Sequence, residues 1–301
     1  GTDWSVGQTI DFLRDEEDLP DEFLDVFVVD EAHRPVGVIS LSRILRSPRE
    51  TPMRDIVDET QVIVPAEMEQ EEVALQFEKY DLTSAGVVDK EGKLLGMITV
   101  DDVMEVAREE FEEDVLLLGG VGEETVSDTV WFAARNRFTW LLVNLFTAAL
   151  ASLVIGLFDA TIKEMVALAV LMPIVASMGG NAGTQSLTIT VRALATKELT
   201  AFNALRSIRK ELIVGVVNGM LFAILSGALT YFWFDNLMLG AVIGAAMIVN
   251  MVVAGVAGAL LPLCFDRLGI DPAVASGVFV TTVTDVVGFL AFLGMASIVF
   301  L

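Results

Sequence analysis

One cysteine, one histidine and two tyrosines are spread through 301 residues, and each scarcity removes a class of function. With Cys264 alone, the chain can form no intrachain disulfide and assemble no thiolate metal site. With His33 alone, and in a turn between two apolar runs, there is no histidine metal triad. No nucleophile–base pair is visible either, so the sequence does not read as an enzyme. Basic residues are also few, 19 Lys and Arg against 42 Asp and Glu, for a formal charge of −23. Such a chain repels nucleic-acid phosphates. The opening stretch from Thr2 to Pro20 is acidic and lacks the basic start of a secretory signal.

What is present is unevenly placed. Residues 1–130 hold 34 acidic and 10 basic side chains, whereas residues 131–301 hold 8 and 9. Hydrophobic residues make up 54% of the chain and mean hydropathy is +0.63, and nearly all the long apolar runs lie in the second part. An acidic part long enough for a soluble domain is joined to one of membrane composition. The acidic excess points to cations as partners; a solvated acidic surface is the alternative reading.

The acidic part repeats itself at a spacing of 59 residues. FVVDEAHRPVGVISLSRIL (27–45) aligns with GVVDKEGKLLGMITVDDVM (86–104), pairing Val28, Asp30, Gly37 and Ile39 with Val87, Asp89, Gly96 and Ile98. Each unit reads as strand, acidic turn, strand and helix, with Ser40 or Thr99 placed to cap the helix. An amphipathic helix over Glu71–Tyr80 precedes the second unit, with Val73, Leu75, Phe77 and Tyr80 on its buried side. This tandem βαββα pattern resembles a pair of CBS (cystathionine-β-synthase-type) modules, residues 1–50 and 51–104. The first begins mid-pattern, so sequence upstream is expected. Gly96-Met-Ile-Thr99-Val-Asp-Asp102 is similar to the family's nucleotide-contacting turn. That resemblance implies Thr99 and Asp102 as contacts for ATP or another adenine nucleotide; helix capping is the plainer role. The first module has Arg43 where the second has Asp102.

From Asp101 to Leu118 runs a helix-forming segment without proline or glycine, bearing eight carboxylates and one basic residue, Arg108. Like charges one turn apart cost about 0.2–0.5 kcal/mol per pair. A hard cation such as Mg²⁺ would relieve them; a solvated linker helix is the other reading. Residues 101–130, an acidic helix and a short linker, connect the repeat to residues 131–301.

Five apolar stretches, near 138–158, 165–190, 212–234, 237–262 and 273–301, can each cross about 30 Å of hydrocarbon. Arg135 and Arg137 precede the first, and Arg192, Lys197, Arg206, Arg209 and Lys210 lie between the second and third. This bias places the acidic part in the cytosol and the C-terminus outside. Within the spans, Asp285 is the one formal charge near a middle, at an insertion cost of about 2.5–3.5 kcal/mol. No basic residue in a span can pair with it, so it should face water or a cation path. Thr281 lies one turn earlier on its face. In the second span, Pro173 and the run Gly179-Gly180-Asn181-Ala-Gly183-Thr-Gln185-Ser186 weaken the helix or admit a close neighbour. Asn181 and Gln185 share a face there, where a narrow polar passage is expected. Gly240 to Gly258 in the fourth span can serve packing alone.

Together the CBS pair, the acidic connecting helix, the P-x₅-GGNAGTQS span and the TTVTD span resemble the MgtE family of Mg²⁺ channels or transporters. The fold so implied is multidomain: an α/β tandem CBS pair, a long acidic helix and an all-α transmembrane domain of five helices. The resemblance further implies a homodimer in the plasma membrane, with an acidic helical domain upstream. It places Asp285, with Thr281 and Asn181, on a Mg²⁺ path at the dimer axis. It also implies cytosolic Mg²⁺ ligands at Glu69, Glu71, Asp81, Asp102, Glu105, Glu110, Glu113 and Asp114, through which Mg²⁺ would gate the pore. A secondary transporter exchanging Mg²⁺ for Na⁺ or H⁺, and a membrane-anchored nucleotide sensor, are the competing readings.

Overall fold

The computed structural model describes residues 1–16, 19, 23–58, 62–122 and 124–300, with no side-chain description at 275–276. Part of the opening acidic stretch, and Leu301 at the end of the fifth span, therefore lie outside the described residues. Two compact units form, Gly1–Glu112 and Glu113–Leu301.

In the first unit, α1 (Val6–Asp15) precedes β1 (Asp25–Val29), β2 (Pro35–Ser40) and α2 (Leu41–Arg46). A 3₁₀ turn at Met53–Asp55 leads to β3 (Ile63–Pro65), α3 (Gln70–Tyr80), β4 (Ser84–Val88), β5 (Leu94–Thr99) and α4 (Val100–Leu118). The repeat is visible in the pairing. β1 and β2 form an antiparallel hairpin, as do β4 and β5, and β3 adds in parallel to β4. Repeat partners occupy equivalent places in two small cores. Ile39 and Ile44 pack with Val6, Val28 and Met53; Ile98 and Val103 pack with Val64, Val73, Phe77 and Ala85.

The acidic turns match as well. Asp30 Oδ1 accepts from the Arg34 N–H at 2.8 Å, and Asp89 Oδ1 from the Glu91 and Lys93 N–H groups at 2.8 and 2.9 Å. The Lys93 amide is the chief reason that the Asp89 carboxyl sits below its ordinary pKa. Asp25 ties the hairpins together, accepting from Ser84 Oγ at 2.6 Å and Thr83 Oγ1 at 3.1 Å.

Two expectations need correction. The Ser40 hydroxyl makes no capping bond to α2 and lies 3.1 Å from Ser42 Oγ. Tyr80 is exposed rather than on the buried side of α3, because that side narrows to Val73 and Phe77.

The second unit contains α5 (Val130–Gly156), a short α6 (Asp159–Glu164), α7 (Ala167–Ala195), α8 (Ala204–Phe234), α9 (Leu237–Arg267) and α10 (Pro272–Phe300). Five of these helices are long and apolar enough to cross a membrane. Their order in depth is set by side-chain size. α9, with glycine at 240, 244, 255 and 258, is the most buried and packs against α7, α8 and α10. Gly227 and Gly240 bring α8 and α9 so close that a Cβ on either would stand 2.7–2.9 Å from the other's carbonyl oxygen. α5, with large apolar side chains such as Phe138, Leu141, Phe146 and Leu153 exposed, packs mainly on α10 and leaves most of its surface open.

Candidate functional site

α7 has two unlike sides. Leu171, Val175, Gly179, Gly183, Leu187 and Val191 are buried. On the other side Ser177, Asn181, Thr184, Gln185 and Thr188 are exposed. They recur at intervals of three and four residues, so they form one polar stripe along a helix of membrane-spanning length. Three of them donate back onto the helix itself. Asn181 Nδ2 donates to the Ser177 carbonyl, Thr184 Oγ1 to that of Gly180 and Thr188 Oγ1 to that of Thr184, each at 2.9 Å. The oxygens of the threonines and the Asn181 amide are left to accept from something else. Pro173 does not break the helix, which continues from Ala167 to Ala195.

The glycines of this segment fit α10 against it. A Cβ at Gly183 would stand 2.5 Å from Val280 Cγ1 and 3.5 Å from Thr284 Cγ2, and one at Gly180 would be 4.0 Å from Thr281 Cγ2. Thr281 Oγ1 and Thr284 Oγ1 donate to carbonyls of their own helix at about 3 Å. Asp285, half-buried on the next turn, makes no hydrogen bond or ion pair among the described residues. A cavity of about 290 Å³ opens at Thr281, lined also by Asn144, Thr184 and Thr188 and walled by Leu117 and Leu118. So Thr281 is brought to the α7 stripe, whereas no hydrogen bond joins Asn181 to Asp285.

Several buried polar residues in this unit escaped the sequence reading, Asn250 and Glu211 among them. Asn250, fully buried in α9, donates from Nδ2 to the Val175 carbonyl of α7 at 2.8 Å. Glu211, buried at the start of α8, lies one residue before the third apolar stretch. A lone asparagine inside an apolar run, and a lone carboxylate at its edge, were the available signals.

The acidic positions are dispersed. Glu69 and Glu71 sit at the start of α3, Asp81 at its end in a left-handed conformation (φ 51°), and Asp102, Glu105 and Glu110 along α4. Gln70 donates to Glu110, bringing the start of α3 to the middle of α4. Glu113 and Asp114 lie near the end of α4. Among the described residues no three His, Cys, Asp or Glu side chains converge as one metal centre. Mg²⁺ does not require such a cage, because it commonly keeps several waters and binds through one or two carboxylates.

Thr99 and Asp102 line a separate cavity of about 790 Å³, with Trp4, Phe12, Phe27 and Asp25 on its walls. Asp102 Oδ2 accepts from the Thr99 amide and hydroxyl at 3.2 and 2.8 Å, the bonding of a helix N-terminus. The size and aromatic walls suit a nucleoside. No Lys or Arg side chain lines the cavity among the described residues.

Comparison with known proteins agrees with this division. Residues 172–295 match the MgtE family, described as divalent cation transporters, and residues 53–109 match the CBS domain. Proteins named magnesium transporter MgtE from Enterococcus faecalis and Thermus thermophilus are 37% and 34% identical to the chain over 285 and 300 residues. These alignments cover 95% and 98% of the chain but 63% and 66% of the relatives, so the chain spans just under two-thirds of their length. A solved cytosolic domain of the Mg²⁺ channel MgtE in complex with ATP is 36% identical over 35% of this chain and 42% of its own, with a TM-score of 0.34. With these matches along nearly the whole chain and five helices long and apolar enough to cross a membrane, the chain belongs to the MgtE family as a multi-pass membrane protein.

Proposed function

We propose that the chain conducts Mg²⁺ through the membrane as a homodimer, along a path lined by the α7 stripe and Asp285. The observation that carries this reading is the stripe itself. In hydrocarbon, each polar group without a partner costs several kcal/mol, by about the measure that applies to unsatisfied backbone groups. A stripe left uncovered by its own chain must therefore meet a second copy, water, or both. A two-fold axis along this face would set two Asp285 carboxylates around one passage. Mg²⁺ surrenders its waters reluctantly, so the carboxylates and the stripe's oxygens would hold the ion through its hydration shell. Attraction without dehydration gives binding that still permits release.

The acidic unit is the proposed regulator. In this reading it faces the cytosol and the C-terminus faces outward, following the basic residues around α5 and between α7 and α8. Ions bridging Glu69, Glu71, Asp81, Asp102, Glu105, Glu110, Glu113 and Asp114 would relieve repulsion on α4 and bias it toward one position. Because Leu117 and Leu118 wall the cavity containing Thr281, a shift at the end of α4 would reach the path directly. A nucleoside portion of an adenine nucleotide is the proposed occupant of the cavity by Thr99.

The test is Mg²⁺ uptake into proteoliposomes by wild type and Asp285→Asn, with and without Na⁺ and H⁺ gradients. Removing both axial charges should lower uptake by about a hundredfold, as lost close charge contacts of several kcal/mol do. Uptake by wild type should need no coupling gradient. Undiminished uptake by Asp285→Asn would overturn the path, and strict dependence on a Na⁺ or H⁺ gradient would favour the exchanger.

A further inference from the structure

We propose that Asn250 is a positioning residue for ion selectivity: without touching the ion, it sets the spacing between the α7 stripe and the helix that carries Asp285. The proposal rests on the reading of Asp285 as part of the ion path.

Asn250 is fully buried at the centre of the most buried helix. Its carboxamide lies between two bare stretches of backbone. A Cβ at Gly179 of α7 would stand 2.3 Å from Asn250 Nδ2 and 2.7 Å from Oδ1. One at Gly288 of α10 would stand 2.9 Å from Nδ2 and 3.1 Å from Oδ1. Both approaches are tighter than ordinary Cβ contacts, so each glycine is required by the same side chain. Gly179 lies two residues before Asn181 of the stripe, and Gly288 three residues after Asp285. One planar group therefore separates the two polar elements by its own thickness.

Its orientation is fixed by chemistry as well as shape. Nδ2 donates to the Val175 carbonyl at 2.8 Å, while Oδ1 is buried with no partner among the described residues. Rotating the amide by half a turn would set oxygen against oxygen at Val175, so the present orientation is held. An orphan buried acceptor costs free energy that packing alone could recover with leucine. An asparagine that tolerates this cost fixes geometry rather than adding stability, in the way that buried polar groups fix register elsewhere. Here the geometry is the width of the path. Mg²⁺ is smaller than Ca²⁺ and demands a stricter shell, so a path whose width is no longer held should lose Mg²⁺ preference before it loses conduction.

The test is initial Mg²⁺ and Ca²⁺ uptake by proteoliposomes containing wild type, Asn250→Ala, Gly179→Ala and the double variant. Asn250→Ala should reduce Mg²⁺ uptake by about tenfold, the low end for groups that orient metal ligands, while Ca²⁺ uptake changes by less than about twofold. Gly179→Ala should be severe alone and cost less than about twofold more in the Asn250→Ala background, where the colliding group is gone. A parallel fall in both ions, or a Gly179→Ala cost equal in both backgrounds, would overturn the proposal. Should Asn250→Ala fail to fold, Asn250→Ser is run through the same cycle. If neither folds, Asn250 is a packing residue and the proposal falls. Asp285→Asn is measured beside them: if it conducts normally, the path reading fails, whereas the Gly179–Asn250 cycle still reports on the contact.

Discussion

Helices α7 and α9 share a framework of glycine, proline and one central asparagine and have opposite surroundings. Each is about thirty residues long, with several glycines, one internal proline (Pro173, Pro262) and a central asparagine (Asn181, Asn250), but α7 adds a run of serine, threonine and glutamine that α9 lacks. In α9 the glycines face α8 on one side and α7 on another, and Asn250 is enclosed. In α7 the glycines face α9 and α10, and Asn181 stands on the open side. Glycine, proline and a central asparagine therefore do not by themselves distinguish a buried helix from one with an open polar side. The difference lies in where the polar residues fall relative to the small ones. On α7 they recur one turn apart on the side away from the buried glycines, while on α9 the asparagine points into a seam.

That contrast is broken most severely by filling the seam. A Cβ at Gly258 would stand 2.6 Å from the Gly183 carbonyl oxygen and 2.9 Å from the Leu187 nitrogen, both backbone atoms that no rotamer change can move. Gly258→Leu should force α7 from α9 at a cost beyond the roughly 1–3 kcal/mol usual for overpacking, a large share of a typical stability of about 5–15 kcal/mol. The check is the fraction of purified protein that remains monodisperse in detergent after mild heating, and most of it should be lost. Gly156→Ala, where nothing lies within 4 Å, is the matched control and should behave as wild type.

Substitution on the open side should do the reverse. Asn181→Leu removes an exposed group that hydrogen-bonds within its own helix, so folding and thermal stability should match wild type. Mg²⁺ uptake should fall about tenfold, because hydrogen bonds involving a charged partner contribute roughly 1.5–3 kcal/mol and the ion's waters would lose one acceptor. Normal uptake with unchanged stability would show that the stripe is merely exposed. Unfolding would show that α7 is a second packing helix and erase the contrast with α9.

How far this could be read from the sequence depends on the kind of information each feature needs. The repeat was legible because it is local. Ile39 and Ile98, or Ile44 and Val103, recur at one spacing and take equivalent places in their cores. The five apolar helices were legible from length and hydropathy. Depth was not, because helices apolar all round carry no amphipathic period to say which side is inside. Asn250 was missed for the same reason: its role depends on Gly179 and Gly288, 71 residues before it and 38 after. The glycines of α7 read as weak points or as close approaches, and the structure assigns them to close approach. Asp285 stands out in the sequence because a carboxylate in an apolar run is conspicuous without any knowledge of its neighbours. The eight cytosolic carboxylates were assigned only by resemblance. Nothing in their spacing brings Asp81 to Asp102, and the structure gathers no three of them among the described residues.

The finest test of the contrast is one atom on the stripe. Thr188 Oγ1 donates to the Thr184 carbonyl at 2.9 Å and presents its lone pairs to the cavity shared with Thr281 and Asn144. Thr188→Val keeps the shape and the helix, since the Thr184 carbonyl retains its ordinary backbone partner, and removes only an acceptor from the cavity wall. Stability should therefore change by less than about 0.5 kcal/mol, the usual range for substitutions outside packed or bonded sites. Mg²⁺ uptake should fall about two- to threefold, in keeping with loss of one neutral hydrogen bond worth roughly 0.5–1.5 kcal/mol. The matched change in the seam is Thr230→Val, whose buried hydroxyl has no partner among the described residues. There the methyl should leave uptake unchanged and raise the melting temperature slightly, because an unsatisfied buried group is removed. If the two valines behave alike in both assays, the wet side and the dry side are not distinct, and an open stripe no longer argues for an ion path.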